Sequence, residues 1–395
     1  MIGARVVWDQ RFTSYDFGPG HPMHPSRLEL THRLATELGV LDGPDIEVVP
    51  ARPAEPALLL SVHTPELVEA VRALSADPDN ADGRLGIGTP DTPAFRGMHE
   101  ATSLAVGATV EVCRSVWRGE CAHGVNIAGG LHHAMPHRAS GFCVYNDIAV
   151  GIRWLLDQGA SRVAYVDLDV HHGDGVEQVF WDDPRVLTLS LHESGQALFP
   201  GTGFPGERGG RNALDSAVNV ALPPGTGDTG WLRAFYGVVP AVLAAFRPEI
   251  LVTQHGCDSH FSDPLSHLAV SIDGMHAAYR SVHDLAHSLC GGRWVALGGG
   301  GYELIDVVPR AWAHLTAIAA HRPVSLTASV PAAWREHVYQ VYGRIGPVRM
   351  GDLGGRPIDY GDWSQGYDPQ DPVDSAIMAT RRAVFPGLGL DPYFD

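Results

Sequence analysis

The chain has 395 residues, of which 45% are hydrophobic and 18% charged, the composition of a globular protein with a sizeable core. Its formal net charge of −17 disfavours a nucleic-acid backbone as partner. All 28 basic residues are arginine, which removes the phosphate-binding lysine of a P-loop, Schiff-base chemistry and Ser-Lys nucleophile pairs from consideration.

At the amino terminus, "MIGARVVWDQR" runs directly into a strand-like segment without the apolar core and cleavage site of a signal peptide. No apolar stretch reaches the roughly 20 residues of a membrane helix, so a cytoplasmic protein without a membrane partner is expected. Short apolar runs then recur at Arg5 to Trp8, Val125 to Ile127, Val163 to Val166, Val186 to Leu191, Ile250 to Thr253 and Trp294 to Leu297. Each leads into a glycine-rich or polar loop. Helical patterns lie between them, among them Asp147 to Leu156, opened by the capping residues Asn146 and Asp147, and Trp231 to Phe246. This alternation predicts one α/β domain over residues 1–320, a parallel sheet with helices on both faces. From residue 321 to 395 the composition shifts to Pro, Gly, Asp and Tyr, and its aromatics predict an extension packed on the domain rather than a disordered tail. The five cysteines, Cys113, Cys121, Cys143, Cys257 and Cys290, are odd in number and lack CxxC spacing, which argues against disulfides or a thiolate zinc knuckle.

In parallel sheets ligands bind beyond the carboxyl ends of the strands, so the residues just past each run share one rim. After Val125 to Ile127 comes "AGGLHHAMPHRASGFCVYND", with His132 and His133. Val163 to Val166 continues into "DLDVHHGDG", and strand periodicity puts Asp167, Asp169 and His171 on one face. Past Ile250 to Thr253 lies "QHGCDSHFSDP" with Asp258, and past Trp294 to Leu297 lies "GGGGYE" with Tyr302. Asp169, His171 and Asp258 give a metal three ligands and leave a position open for water; zinc, ferrous iron and cobalt all suit this set. A histidine beside such a water suits a general base, and Asp167 and Asp174 suit the task of fixing the imidazole tautomers. The Tyr302 hydroxyl, on a glycine-rich loop, can reach a developing oxyanion.

The ordered motifs "HPMHPSR", "GGLHHA", "GFCVYND", "DLDVHHGDGVEQVF", "SLHE", "PGTG", "QHGCD" and "GGGGY" resemble the histone deacetylase family, over roughly residues 5 to 320. Asp174 is similar to the class I branch, while "QHGCD" and "HPMHP" look most like the bacterial acetoin-utilisation deacetylases. The resemblance implies the arginase/deacetylase fold with a mostly eight-stranded sheet, and zinc, or alternatively ferrous iron, on Asp169, His171 and Asp258. It implies His133 as general base oriented by Asp174, His132 paired with Asp167 as electrostatic partner, and Tyr302 as oxyanion donor. Gly141, Phe142, Phe199 and Leu265 would wall an acyl-lysine channel, with Gly300 also contacting substrate and Asp91 holding the substrate backbone. Arg27, Gly129 and Gly130 match an internal acetate channel, in which Leu131 replaces the tryptophan of animal class I members. Potassium is implied beside the metal, on Asp167, Asp169, His171, Ser190 and Leu191, and at a second site on Phe180, Asp183, Val186 and Ser216. The implied reaction is hydrolysis of acetyl-lysine on a protein or peptide, with an acetylated acyl-CoA synthetase as one expected substrate. Acetylpolyamines are the alternative substrate class.

Overall fold

The apolar runs read from the sequence become strands of a single sheet in the computed structural model, which describes residues 2–395. In chain order they are β1 (Ile2–Val7), β2 (Ile46–Val49), β3 (Cys121–Asn126), β4 (Val163–Asp167), β5 (Val186–Glu193), β6 (Ala217–Leu222), β7 (Ile250–Gln254) and β8 (Trp294–Leu297). All pairings are parallel, and the spatial order is β2-β1-β3-β8-β7-β4-β5-β6. Every residue of β4, β5, β7 and β8 is buried, as expected of strands covered by helices on both faces. The architecture is that of the arginase/deacetylase fold expected from the sequence.

The strand order decides where the site lies. β3, β8, β7 and β4 are consecutive neighbours in the middle of the sheet, although far apart in sequence. Their carboxyl ends therefore bring together the four loops that follow them. Two strands, β2 and β6, escaped the sequence reading. β2 has only four residues, none of them fully buried, on one edge. β6, "AVNVAL", lies on the other edge but is almost wholly buried, because the helix Pro372–Val384 covers it and the Thr380 hydroxyl donates to the Asn219 carbonyl at 2.6 Å.

The carboxy-terminal segment is packed on the rest of the chain. Trp334, fully buried, donates its indole N–H to the Leu30 carbonyl at 3.0 Å, and Arg381, also fully buried, lies over the rings of Trp363 and Phe385. The helix Asp228–Phe246 is long and apolar enough to cross a membrane by length and composition, contrary to the expectation that no segment would be. Here it presents Trp231, Phe235, Val238, Val242 and Leu243 to the core. All five cysteines are free and buried.

His63 links the fold to pH. Its Nε2 accepts the Asn146 N–H at 2.9 Å and its Nδ1 donates to the Met135 carbonyl at 3.1 Å, so the buried ring fits only as the neutral tautomer. Burial lowers its pKa to about 4. A folded-state value below the unfolded one means that the unfolded chain binds the extra proton first. The stabilisation is thus complete above the unfolded value of about 6.5 and is lost as pH falls toward 4, at up to about 1.4 kcal/mol per pH unit. Denaturant unfolding of the parent and of His63→Gln between pH 7 and 5 should give a shallower pH dependence for the variant; equal slopes would refute this assignment.

Candidate active site

The run that opens the site leaves the sheet earlier than its alternating pattern predicts. β4 ends at Asp167, so Asp169 and His171 do not continue its face. Beyond it the carboxylates capture the backbone: Asp167 Oδ1 accepts the Asp169 N–H at 3.1 Å, and Asp169 Oδ1 accepts the His171 N–H at 3.0 Å. Short aspartate side chains compete with the ladder in this way, and they turn the chain out of it. The turn carries Asp169 and His171 over the carboxyl end of β7. There Asp258 Oδ1 accepts the Val170 N–H at 3.0 Å.

Asp169, His171 and Asp258 converge. Their donor atoms lie within 4.8 Å of one another, and all three residues are buried. His171 Nδ1 is 3.0 Å from Asp169 Oδ1 and 3.2 Å from Asp258 Oδ2. Burial and the charge of Asp169 push the Asp258 carboxyl above the ordinary carboxylate range. Two carboxylates and one imidazole crowded away from water fit a divalent cation, which neutralises both carboxylates at once. Several glycines make room for this packing. A Cβ on Gly256 would sit 2.0 Å from Asp169 Oδ2, and one on Gly300 would sit 2.0 Å from Asp258 Oδ2. Gly300, expected among the substrate contacts, backs the carboxylates, and its N–H donates to Asp169 Oδ2 at 2.8 Å.

Beside this group stand the two histidines that follow β3. His132 Nδ1 is 2.7 Å from Asp167 Oδ2, His133 Nδ1 is 2.7 Å from Asp174 Oδ1, and the two Nε2 atoms face each other at 3.1 Å. The pairs look alike but behave oppositely. Burial disfavours charge on His132, yet Asp167 and Asp169 outweigh it and raise its pKa to about 9. Burial and the adjacent His132 cation instead lower His133 to about 4, against the pull of Asp174. The arrangement thus holds a neutral acceptor at His133 Nε2 next to a cation. Gly141 seals this geometry: its φ is +51° and a Cβ there would meet His133 Cδ2 at 2.4 Å. Gly141→Ala should therefore displace the imidazole and lower kcat on the order of 10²-fold. Turnover within twofold of the parent at equal stability would exclude such tight packing.

Tyr302 faces the same space. Its N–H donates to Asp263 Oδ2 at 2.7 Å and its ring meets the edge of Phe142 at 5.7 Å. Burial, with Asp258 and Asp169 nearby, keeps the phenol pKa well above its ordinary value, so the hydroxyl retains its proton and can donate it in a hydrogen bond. A cleft of about 220 Å³ leads down to these groups, lined by Asp91, His133, Gly141, Phe142, His171, Leu198, Phe199, Leu265 and Tyr302. Asp91, Phe142, Phe199 and Leu265, read from the sequence as substrate contacts, all stand on its wall. Asp91 is fixed at the mouth through its carbonyl, 3.3 Å from His21 Nε2.

Behind the cleft, buried Arg27 donates to the carbonyls of Gly299 and Gly301 at 3.1 and 2.9 Å. It also lines a small internal cavity with Tyr15, Met23 and Ala128. Gly129 and Gly130 do not line that cavity. They pack against Asp147, which accepts the N–H groups of Gly130 and Leu131. Of the potassium set, Asp167 and Ser190 are register partners on β4 and β5, while Phe180, Asp183 and Val186 share one turn through carbonyl bonds.

Three supporting residues lay outside the sequence reading. Gln254 donates to Asp169 Oδ2 at 2.7 Å, and the Tyr165 hydroxyl donates to Asp167 Oδ2 at 2.6 Å. Asp263 anchors the Tyr302 backbone. Gln254 and Asp263 occur in quoted motifs, whereas Tyr165 is hidden inside an apolar strand.

Comparison with known proteins places this geometry in a family. A profile described as "Histone deacetylase domain" matches residues 21–319. The chain belongs to the histone deacetylase family. Relatives of this deacetylase include the acetoin utilization protein AcuC of Bacillus subtilis (strain 168), 42% identical over 317 residues that cover 80% of this chain and 81% of that protein. The AcuC proteins of Staphylococcus xylosus and Staphylococcus aureus (strain MSSA476) are each 35% identical over 83% of this chain, covering 85% and 84% of their own lengths. The deacetylase is thus a hydrolytic enzyme, and the polar groups at the base of its cleft are candidates for carrying the reaction.

Proposed function

We propose that this deacetylase removes the acetyl group from acetyl-lysine side chains of proteins or peptides in the cytoplasm, with Asp169, His171 and Asp258 holding zinc. The observation that carries this reading is the shape of the site. A cleft walled by Phe142, Phe199 and Leu265 runs from an exposed carboxylate, Asp91, to buried His133 and His171 and the partly buried Tyr302. An acyl-lysine arm fits such a path: its methylenes lie against the aromatic walls, its backbone meets Asp91, and its amide reaches the polar floor.

When bound, the zinc ion supplies polarisation of the amide carbonyl and of the attacking water. The residues of the chain do the rest. His133 Nε2, neutral and held by Asp174, takes a proton from the water and later delivers it to the leaving amine. His132, cationic against Asp167, offsets the negative charge that develops beside it. The Tyr302 hydroxyl donates to the amide oxygen as that oxygen becomes an oxyanion. Products are acetate and a free lysine side chain. Potassium in the oxygen-rich turns around Asp167 and Ser190, and around Phe180, Asp183 and Val186, would brace the loop that carries Asp169 and His171.

The names of the relatives, acetoin utilization proteins, support a role in acetoin metabolism; an acetylated acyl-CoA synthetase is the protein substrate we propose. Steady-state rates on acetyl-lysine peptides and on acetylated diamines test the substrate class. The proposal expects kcat/KM to favour the peptides by more than tenfold, and a preference for the diamines would replace it with the small-amine reading.

A further inference from the structure

A second cluster of nitrogen ligands lies toward the amino end of the sheet, away from the rim that forms the cleft. His123 comes from β3, where it pairs with Trp294 at the start of β8. His283 and His287 are four residues apart on the helix Ile272–Cys290, and His321 follows the helix Val308–Ala319. One ring nitrogen from each lies within 4.8 Å of the other three. We propose that these four histidines form a closed, tetrahedral site for a zinc ion, which clips β3, the helix Ile272–Cys290 and the start of the segment 321–395 together.

Ring geometry carries the argument. With zinc–nitrogen bonds of about 2.0–2.1 Å, four imidazoles around one ion have nitrogens about 3.3 Å apart and ring centres about 5 Å apart. The six centroid separations here run from 4.6 to 5.5 Å. His283 Nε2 and His321 Nδ1 are already 3.3 Å apart. The i, i+4 spacing of His283 and His287 puts both on one face of their helix, the usual way a helix supplies two ligands.

The outer contacts point the same way. His123 is fully buried, its Nδ1 donates to the Ala319 carbonyl at 2.7 Å, and its Nε2 has no hydrogen-bond partner. A lone pair is thereby left facing three other imidazoles. His283 Nδ1 is 3.1 Å from Asp284 Oδ1, which leaves its Nε2 for the cluster in the same manner. Oxygen acceptors on the distal nitrogen are how metal-binding histidines are commonly oriented. His321 has φ of +55°, at a position past a helix end where glycine is usual, and this conformation turns its ring toward the other three. Neutral nitrogen donors without a carboxylate or thiolate select zinc, copper or nickel over magnesium and calcium, and four protein ligands leave no open position for catalysis.

Metal counting on the full chain tests the site. Protein stripped with chelator is dialysed against buffered free zinc, and bound zinc is measured by plasma mass spectrometry. The parent should hold two equivalents, and His283→Gln/His287→Gln should hold one while keeping deacetylase turnover within about twofold. Asp169→Asn/Asp258→Asn should also hold one, and zinc should raise its thermal midpoint through binding to the folded state alone. His321→Gln, at an exposed residue, repeats the loss if the double helix variant fails to fold. Equal zinc content and affinity in the parent and both histidine variants would overturn the site. A parent holding one equivalent that survives Asp169→Asn/Asp258→Asn but is lost in the histidine variants would instead support this site and contradict zinc at the catalytic one.

Discussion

Tyr302→Phe is expected to lower kcat by about 10²–10³-fold, equivalent to about 2.7–4 kcal/mol of barrier, with KM nearly unchanged. The substitution removes one hydroxyl and leaves the packing in place. The Tyr302 ring sits against Phe142, and its backbone is fixed by Asp263. Phenylalanine keeps both contacts, so stability should not change. The hydroxyl matters because burial keeps it protonated, which makes it a donor rather than a competing anion beside Asp169 and Asp258. An interaction strongest with the developing oxyanion appears in kcat, whereas one made equally to bound substrate appears in KM. Steady-state kinetics of both proteins on one acetyl-lysine peptide decide between these, and equal kcat values would remove Tyr302 from the chemistry.

Asp258→Asn should have an effect at least as large, for a different reason. Outer-shell partners of metal sites alone cost 10- to 100-fold in affinity or activity, so loss of a charged ligand should exceed about 100-fold. Asparagine retains the acceptor for the Val170 N–H, at 3.0 Å in the parent, and the turn after β4 should therefore survive. What changes is charge: one buried carboxylate is left, with His171, to hold a divalent ion. Turnover should fall together with zinc content at the catalytic site and recover in part at high free zinc. Full activity at unchanged zinc affinity would show that Asp258 is not a ligand.

Much of this site was readable from the sequence because its residues stand just past apolar runs, and strand ends in a parallel sheet share a rim. His132, His133, Asp169, His171, Asp258 and Tyr302 were identified that way, although β2 and β6 were not. β2 is too short and exposed to leave a pattern. β6 is an edge strand whose burial depends on a helix more than 150 residues later, the partner of Asn219 being Thr380. The alternating aspartates after Val166 were read as a strand face, but their side chains cap the backbone and turn it away. Tyr165 carries no sequence signal of its own, and Gln254, although it opens "QHGCD", carries none for its role. Tyr165 acts through a hydrogen bond to Asp167 along one face of β4, and Gln254 through one to Asp169 that exists only once β4 and β7 are neighbours. The packing role of Gly300 is hidden in the same way, since only the folded loop shows that its missing side chain makes room for Asp258. Of the second histidine cluster only the spacing of His283 and His287 is visible locally, because His123 and His321 join it through the sheet.

The central claim is that a cation held by Asp169, His171 and Asp258 works with His133 and Tyr302 to hydrolyse acetyl-lysine. The most direct measurement is acetate release from an acetyl-lysine peptide by chelator-stripped chain, before and after zinc is restored. The stripped protein should be inactive and should regain the parent rate with zinc, while Asp258→Asn treated identically should not. Turnover by the stripped protein at the parent rate would contradict the claim.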